Sequence, residues 1–593
     1  MNGFYGRILY LDLGRRTFNI EPIAEDLQPQ WLGGKGLASR LLYKLNPPGI
    51  DPLAPENRLI FATGPFTGSR VWGSSRYGVF SKSPQTGIYS ESYAGGRVPE
   101  AIDSCGFDAL VISGRSREPL VMRVHPGGAE FHPAGDIWGR DTFASEDLIH
   151  EHFSRDNNTP GSKKGAVVIG PAGEKLVRFA VIENDYWRSA GRTGLGAVMG
   201  AKKLKGILFA GDRQRPLHNA EKVALLAREL ARDNHDNPGV LAYKKMGTPM
   251  MVKIMNEAGA FPTRYWSRGT YEQWPQISAE ALHERCTVKP HACLKCFMAC
   301  GRQTTITRGR HAGLKIEGPE YETIYAFGGL CQVDSIEEIA YLNDICDRLG
   351  MDTITAGNLC AFTIEAVRHG RIDYPIDYGN VDAIATLLAE IADRNGIGAI
   401  LADGIRAAAK AWKLEDIAVQ VKGMEPAGYD PRALKGMGLA YATSDRGACH
   451  LRSTFYKAEL SGMIDPEQTD DKAELFLDFE NRLTIFDTLI LCRFYRDLYP
   501  WEKLMEIIRA ATGLDLDRQK LETMALKIAD IVRRFNLREG MNPAEDRLPK
   551  FLHQKLQDSG KVIAETELGK MLQDYYHLHG WDEQGIPPPV IPE

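Results

Sequence analysis

The chain has 593 residues, which predicts two to four domains, because a single hydrophobic core stops growing at roughly 250–300 residues. Its composition, 43% hydrophobic and 25% charged, is typical of a globular protein, and a formal net charge of −5 argues against a nucleic-acid binder. There is no run of about 18 apolar residues and no signal-peptide pattern at the start, so we expect no membrane span and a cytoplasmic location. Thiols stay reduced in the cytoplasm, so the spacing of the ten cysteines is more informative than their number.

The chain up to residue 211 predicts a β-rich domain. Short runs of β-branched and aromatic residues alternate with glycine-dense turns, for example at 33–36 and 170–173, where backbone can take a positive φ or lie against a ligand. The predicted strands are 6–13, 59–62, 77–80, 109–112, 166–169, 179–182 and 207–210.

After Pro216 the apolar residues recur with the period of a helix, and the predicted helices are 220–232, 336–349, 381–395 and 521–535. The glycine- and proline-containing segment 422–431 interrupts this pattern. We therefore predict an α+β protein. A β-rich N-terminal domain at 1–211 precedes two mainly α-helical domains, at 212–419 and 420–593.

Cys293, Cys296 and Cys300 place three thiols within eight residues, a spacing that suits a metal site better than core packing. Thiolates select zinc, copper(I) or iron–sulfur clusters. Spacing alone leaves three interpretations open: an iron–sulfur cluster with one remote cysteine, a zinc site with His291 as a nearby ligand, and a trio of buried thiols without a metal.

Seven other cysteines are candidates for a remote ligand. Cys346 and Cys360 lie in apolar helical patterns and are predicted to be core residues. Cys492 follows an apolar stretch that contains one carboxylate, Asp487, and a carboxylate in such a stretch needs specific hydrogen-bond donors. An N-cap or a buried ion pair would also account for Asp487.

Asp347 and Asp352 flank Gly350 at the end of a predicted helix. Carboxylates in this position suit the ring N–H and amino groups of a pterin, although acidic residues beside a C-terminal glycine are also common in helices that bind nothing.

The glycine-rich segment 191–200 does not fit a Rossmann dinucleotide site, because its spacing from Gly194 is G-x-G-x-x-x-G. Its glycines instead suit backbone contacts to phosphate, and the guanidinium groups of Arg76, Arg188 and Arg192 match phosphate geometry. A solvated basic surface explains each arginine equally well.

The sequence resembles the aldehyde:ferredoxin oxidoreductases, tungstoenzymes that carry two pyranopterins on one metal beside a 4Fe-4S cluster. The resemblance covers essentially the whole chain. It is carried by the blocks 6–13 (GRILYLDL), 31–37 (WLGGKGL), 55–65 (PENRLIFATGP), 169–174 (IGPAGE), 189–200 (SAGRTGLGAVMG), 317–322 (EGPEYE), 343–352 (NDICDRLGMD) and 445–451 (DRGACHL).

The resemblance implies that the β-rich domain forms a base under a bis-pyranopterin cofactor of tungsten or molybdenum, and that the two helical domains cover it. A Mg²⁺ ion bridging the pterin phosphates is also expected. The implied pterin contacts are Arg76, Tyr93, Gly95, Arg188, Ser189, Gly191, Asp347, Met351, Asp352, Arg452, Asp487 and Leu491.

The same resemblance selects Cys492 as the remote ligand of a 4Fe-4S cluster, beside the three cysteines at 293, 296 and 300. Glu322 and His450 match the pair proposed for proton handling next to the metal, and Glu320 is an alternative base.

The sequence departs from the family pattern in places. Ile490 replaces the glycine of the second pterin motif, so we expect a different local backbone there; Tyr93 stands where a smaller polar residue is usual, and Met351 replaces a leucine. Tyr341 and Asp344 replace an E-x-x-H pair that binds an interfacial metal in one family member, so we predict no such metal here.

The implied function is the oxidation of aldehydes to carboxylic acids, or the reverse, in an anaerobic enzyme whose electrons leave through the cluster to ferredoxin or to a separate iron–sulfur subunit. Two alternatives are a reductase of an aromatic-ring thioester and a cluster-only electron-transfer scaffold. We expect a homodimer or a hetero-oligomer. A basic area that would suit an acidic partner is predicted from Arg285, Lys289, Lys295 and Arg302, and an ordinary solvated face explains these cations at least as well.

Overall fold

A computed structural model describes residues 1–154 and 161–589. Within these ranges the N-terminal part forms two six-stranded sheets, and a three-stranded sheet lies in the helical part. The strands are β1 Arg7–Asp12, β2 Thr17–Pro22, β3 Leu59–Ala62, β4 Tyr77–Lys82, β5 Tyr89–Ala94, β6 Ala109–Ser113, β7 Leu120–His125, β8 Gly128–Pro133, β9 Lys163–Val168, β10 Ile182–Asn184, β11 Arg188–Ala190, β12 Leu204–Gly211, β13 Cys286–His291, β14 Gly301–Ile306 and β15 Lys315–Glu317.

The two large sheets share one apolar core. The first has the strand order β2-β1-β6-β3-β4-β5 and the second β11-β10-β9-β12-β7-β8. Side chains of both meet inside, as where the rings of Phe61 and Phe209 lie 6.1 Å apart between centroids. Strands buried on both faces read as continuous apolar runs, which is why β3 and β12 were predictable.

The rest of the chain is mainly helical, so the predicted fold class, a β-rich part followed by mainly α-helical parts, is confirmed. The α-helices of the described residues are Leu27–Trp31, Gly34–Leu45, Val98–Ser104, Thr142–His152, Pro171–Glu174, Leu195–Ala201, Ala220–Asp233, Pro238–Met246, Met251–Glu257, Ala279–Arg285, Tyr321–Thr323, Ile336–Leu349, Thr353–Arg368, Val381–Asp393, Gly398–Leu401, Ile405–Trp412, Lys435–Thr443, Tyr456–Leu460, Lys472–Leu489, Trp501–Thr512, Arg518–Arg538 and Glu565–Leu578.

One predicted strand, 179–182, is wrong. Residues 179–181 lie against the end of the Ile336–Leu349 helix: Val181 N donates to Gly350 O at 3.0 Å, and Asp352 N donates to Phe179 O at 3.2 Å. The apolar run is buried in the core of the helical part, and only Ile182 belongs to a strand, β10. This segment joins the β-rich part to the Asp347–Asp352 motif.

A second large core lies in the helical part and contains side chains from both sides of residue 420. Cys346 and Cys360 are fully buried in it, which confirms them as core residues. The domain limits at 211 and 419 stay predictions. No helix within 1–154 and 161–589 is long and apolar enough to cross a membrane.

Candidate active site and cluster site

Four half-buried thiols, those of Cys293, Cys296, Cys300 and Cys492, line one cavity of about 220 Å³. Three come from the loop between β13 and β14. The fourth follows the Lys472–Leu489 helix, and its backbone N–H donates to Gly73 O at 2.9 Å. The structure therefore brings the remote cysteine of the predicted set to the other three.

The wall of this thiol cavity is cationic and closely packed. Arg76 donates from Nη1 to Cys492 Sγ at 3.8 Å and from Nη2 to Tyr93 O at 3.1 Å. Gly95 is required sterically, since a Cβ there would lie 2.7 Å from Cys293 Sγ. Although burial lowers the pKa of Arg188, the neighbouring Cys293 and Glu317 raise it above its ordinary value. These groups suit an anionic occupant held by the sulfurs.

Arg188 and Ser189 line the same cavity, with Ser189 exposed at its edge. Arg188 Nη2 contacts the Glu317 carboxylate, whereas its Nε has no hydrogen-bond partner. Gly191 is half-buried two residues further on, and a Cβ there would meet Ser189 Oγ at 3.2 Å. His291 lies apart from the thiols, with Nδ1 at 3.0 Å from the Glu317 carboxylate.

A second cavity, of about 230 Å³, contains Glu322 and His450. His450 Nε2 lies 3.3 Å from Glu322 Oε1, and Gly428 N donates to Glu322 Oε2 at 3.0 Å. Glu322 precedes a π-helical segment, Ile324–Leu330. Such segments are rare in proteins, and those that occur often lie at functional sites.

Burial makes both members of this pair neutral near pH 7. It raises the pKa of Glu322 to about 8. It also lowers the pKa of His450 well below 6.5, and the nearby guanidinium groups of Arg192 and Arg446 add to that effect. The pair therefore holds a carboxylic acid next to an unprotonated imidazole, which can donate and accept a proton respectively.

The two cavities are neighbours. Arg76, Glu320, Cys492 and Phe494 line both of them. Glu320 also accepts a hydrogen bond from the Thr248 hydroxyl, and burial raises its pKa. A redox group among the thiols would thus lie beside chemistry performed at Glu322 and His450.

The segment after the Lys472–Leu489 helix is held by close backbone contacts. A Cβ on Gly64 would lie 2.1 Å from Leu489 O, and one on Gly34 would lie 2.3 Å from Asp487 O. Ile490 takes a left-handed conformation, φ +55°, which a glycine would adopt more easily. Ile490 thus has a conformation that suits glycine, and the expected change of backbone relative to the family stays a prediction. Leu491 is buried in the adjoining core.

Asp487 is part of a buried ionic network. Arg452 Nη1 donates to Asp487 Oδ2 at 2.9 Å and also contacts Glu91, which Lys35 Nζ reaches at 3.0 Å. The Tyr93 hydroxyl donates to the second oxygen of Glu91 at 2.6 Å. Tyr93, which is larger than the residue expected at this position, therefore has a polar partner. Two nitrogens of Arg452, Nε and Nη2, have no hydrogen-bond partner although the residue is buried.

Acidic groups gather at Asp347. Its carboxylate accepts a hydrogen bond from Asn343 at 2.7 Å, and burial together with Asp344 and Glu317 raises its pKa. Burial and the nearby Asp347 raise the pKa of Glu183, whose Oε2 atom is buried without a hydrogen-bond partner. Protein donors for these oxygens are scarce, so they suit N–H groups of a ligand.

Asp352 and Met351 have protein partners. Asp352 Oδ2 accepts from Arg192 Nε at 3.0 Å, and Oδ1 caps the Thr353–Arg368 helix at Ile354 N. Arg192 further donates to Glu425 O at 2.8 Å, so this arginine is not free to face a phosphate. Met351 is buried, and its backbone forms an isolated antiparallel β-bridge with Ala180.

The predicted basic area loses one member, Arg302, whereas Lys289 is exposed and Arg285 half-buried. Arg302 is fully buried and donates to backbone carbonyls, including those of Lys244 and Lys245 at 2.8 Å. Lys295 pairs with Glu100 at 2.7 Å. Arg302 and Lys295 thus stabilise the loops around the cysteines. The sequence alone does not show which of its cations make such contacts.

Sequence reasoning missed several residues at the site. Cys449 accepts hydrogen bonds from Arg446 at 3.0 and 3.3 Å; although burial raises its pKa, Arg446 and Arg452 lower it to about 7. Lys35 and Glu91 were also missed. The signal for Lys35 was its place within the glycine block 33–36, whereas Glu91 is a strand residue whose partners are distant in sequence.

Comparison with known proteins shows the family. The model for the N-terminal domain of aldehyde ferredoxin oxidoreductase matches residues 8–211, and the model for domains 2 and 3 matches residues 225–591. A tungsten-containing aldehyde ferredoxin oxidoreductase of Pyrococcus furiosus is 34% identical over 602 residues, 99% of this chain and 97% of that protein. One of Thermococcus kodakarensis is 34% identical over 603 residues, again 99% and 97%.

A solved structure shares the fold. The active-site complex BamBC of benzoyl coenzyme A reductase, in complex with 1,5-dienoyl-CoA, superposes with a TM-score of 0.85 at 23% identity, covering 99% of this chain and 96% of that one. Its 34% identity to the Pyrococcus furiosus and Thermococcus kodakarensis enzymes over nearly the whole chain makes this protein an oxidoreductase. The chain belongs to the aldehyde ferredoxin oxidoreductase family.

Proposed function

We propose that this protein oxidises aldehydes to carboxylic acids at a tungsten bis-pyranopterin, with electrons leaving through a 4Fe-4S cluster to ferredoxin. The observation that carries the proposal is the adjacency of the two cavities, which share four lining residues, Cys492 among them. Substrate chemistry and electron removal need that proximity. The relatives with 34% identity are named for tungsten, aldehyde and ferredoxin.

The thiol cavity fits an iron–sulfur cluster. Four cysteines are a complete ligand set for 4Fe-4S, and they surround a space of about 220 Å³. In the described part of the chain, no three His, Cys, Asp or Glu side chains lie close enough together to bind a single metal ion. The spacing of the four cysteines therefore favours a multi-iron cluster over one zinc ion. Arg76 and Arg188 would offset the cluster's negative charge.

Buried polar groups with few protein partners fit the pterin cofactor. Glu183, whose Oε2 has no hydrogen-bond partner, and Asp347, which accepts from Asn343, would also accept hydrogen bonds from pterin N–H groups. Arg452 and Arg188, with free nitrogens, would meet pterin or phosphate oxygens, and Asp487 would orient Arg452. A Mg²⁺ ion between the pterin phosphates is part of the same proposal.

The bound tungsten pterin would supply a centre that takes an electron pair, and the cluster would release the electrons singly. Glu322, protonated below about pH 8, donates a hydrogen bond to the aldehyde oxygen. The net reaction, RCHO + H2O → RCOOH + 2 e⁻ + 2 H⁺, takes its oxygen from water; His450, which is neutral, accepts one of the two protons, and the other passes to solvent. Gly428 N holds Glu322 in place through its other oxygen.

Electrons would leave near the thiol loop. Cys293 and Cys296 are half-buried, and Leu294 between them is 36% exposed, so this edge of the cavity lies close to the surface. Ferredoxin, or a separate iron–sulfur subunit, would dock there.

The test is an anaerobic assay with viologen dye on protein whose tungsten, molybdenum and iron have been quantified. We expect about four irons and one tungsten per chain, with aldehyde-dependent dye reduction. About four irons without tungsten or molybdenum would favour a cluster-only scaffold. A loaded enzyme that reduced an aromatic-ring thioester and left aldehydes unchanged would overturn the proposal.

A matched pair of variants tests the acid–base assignment. Glu322→Gln and His450→Asn should each lower kcat by roughly 10²–10⁴-fold with tungsten and iron still bound. Full activity in both variants would refute the roles of these residues, without bearing on the cluster.

A further inference from the structure

The cavity of Glu322 and His450 extends into a space lined by aromatic rings. Tyr429 lies between His450 and Tyr456, with ring centroids 5.4 and 4.1 Å away. The other apolar side chains of the lining are Tyr243, Tyr321, Met251, Leu451 and Phe494. With a volume of about 230 Å³, this space suits a compact substrate, such as one with a single ring.

Three guanidinium groups face this aromatic space, and within the described residues Arg496 is the one that contacts neither a carboxylate nor a cysteine. Arg76 is bound to Cys492, and Arg493 contacts Asp487. Arg496 is only 3% exposed; its Nη1 donates to Arg493 O at 3.0 Å, and its Nε has no hydrogen-bond partner. Within the ranges that the structure describes, no carboxylate forms an ion pair with Arg496.

The acidic groups near Arg496 contact other residues. Asp497 contacts Lys457 Nζ, and burial together with Arg496 and Arg482 lowers the pKa of Lys457 to about 8. Of the two acids of the cavity, Glu320 accepts from the Thr248 hydroxyl and Glu322 from Gly428 N, and burial raises the pKa of both. A buried cation without a counter-charge is costly, so an anion is expected as its partner.

We propose that Arg496 binds an anionic group at the distal end of the substrate, so that the preferred aldehydes carry a carboxylate remote from the carbonyl. This rests on the proposed function, since it assumes that the aldehyde carbon lies at Glu322 and His450. The planar guanidinium fork matches a carboxylate. One guanidinium balances its single charge, whereas a phosphate monoester carries nearly two.

The test compares two substrates of the same shape, 4-formylbenzoate and its neutral isostere 4-formylbenzamide, on the metal-loaded enzyme with viologen dye. We expect kcat/KM to favour the carboxylate by roughly 10–100-fold, the range of a charge-assisted hydrogen bond. Arg496→Gln should reduce this ratio to near one, mainly through KM. Arg496→Lys should retain part of it, because it keeps the charge but loses the fork. The surface variant Arg509→Gln, at a side chain 70% exposed, should retain it all.

The outcomes separate this inference from the proposed function. If neither aldehyde is oxidised by loaded enzyme, the proposed function fails. If both are oxidised equally by the wild type, or if Arg496→Gln keeps the preference, only the carboxylate site fails. A stronger preference for 4-formylphenyl phosphate would replace the carboxylate by a phosphate.

A measurement on the wild type alone guards against a variant that does not fold. 4-Carbamoylbenzoate should inhibit the loaded enzyme roughly 10–100-fold more strongly than benzene-1,4-dicarboxamide, because only the former has a carboxylate for Arg496 to bind. Equal inhibition would overturn the inference.

Discussion

Replacing Glu322 by Gln should stabilise the protein while removing its acid. Gln is close to the shape of a protonated Glu, and its amide oxygen can still accept the hydrogen bond from Gly428 N. What the variant loses is the ability to ionise. Because burial raises the pKa of Glu322 from its ordinary 4.5 to about 8, that loss has a calculable effect on stability.

The sign follows from proton binding. Between pH 4.5 and 8 the unfolded carboxyl is ionised and the folded one is protonated, so the unfolded state binds fewer protons and wild-type stability falls as pH rises. At about 1.36 kcal/mol per pKa unit, the Gln variant should gain about 1 kcal/mol over the wild type at pH 5 and about 3 kcal/mol at pH 7. Above pH 8 the gain approaches about 5 kcal/mol.

Calorimetry of cofactor-free protein at pH 5.0 and 8.5 measures the difference. With about 2.1 cal/mol/K of unfolding entropy per residue, 593 residues give about 1.2 kcal/mol/K, so a change of about 4 kcal/mol corresponds to roughly 3 °C in Tm. The exposed Glu284→Gln should show no such change with pH. A Tm difference for Glu322→Gln that is the same at both pH values would refute the raised pKa.

The other predictions concern pH and close contacts. Oxidation of a neutral aldehyde should show kcat/KM falling above about pH 8, as Glu322 loses its proton; a rise through that range would contradict its role as acid. Gly95→Ala should lower the iron content from about four per chain, because its Cβ would meet a ligand thiol at 2.7 Å; unchanged iron would exclude that contact. Gly64→Ala, with a Cβ 2.1 Å from Leu489 O, should cost about 1–3 kcal/mol and lower tungsten content, to be measured by Tm and metal analysis. Gly569→Ala, where a Cβ meets nothing, is the control for both and should change neither.

The sequence predictions were correct where residues close together in the chain determine the structure. The Ile336–Leu349 helix was predicted to the residue, since Ser335 caps its start and Gly350 ends it in a left-handed conformation. The cysteine trio was recognisable for the same reason, because eight residues contain it. The long buried strand β12 was recognisable from its continuous apolar run.

Predictions failed where distant partners decide. Segment 179–182 has the composition of a strand, yet most of it pairs with the end of a helix about 170 residues away in the chain. Arg302 and Arg192 look like surface or phosphate-binding cations, but each is buried against backbone carbonyls or a carboxylate from another segment. A sequence shows that a residue is charged, but it does not show which way the side chain points.

By itself the sequence determined the fold class, the family resemblance and a thiol trio of undetermined chemistry. Spacing left Cys492 as one of seven candidates, and only the family resemblance selected it. The tertiary structure decided that its thiol lines the same cavity as the other three, and that this cavity adjoins Glu322 and His450. It also revealed Arg496 as a buried cation without a carboxylate in the described residues. These facts depend on packing between segments hundreds of residues apart, which fixes both distance and burial, and burial in turn sets the protonation of Glu322 and His450.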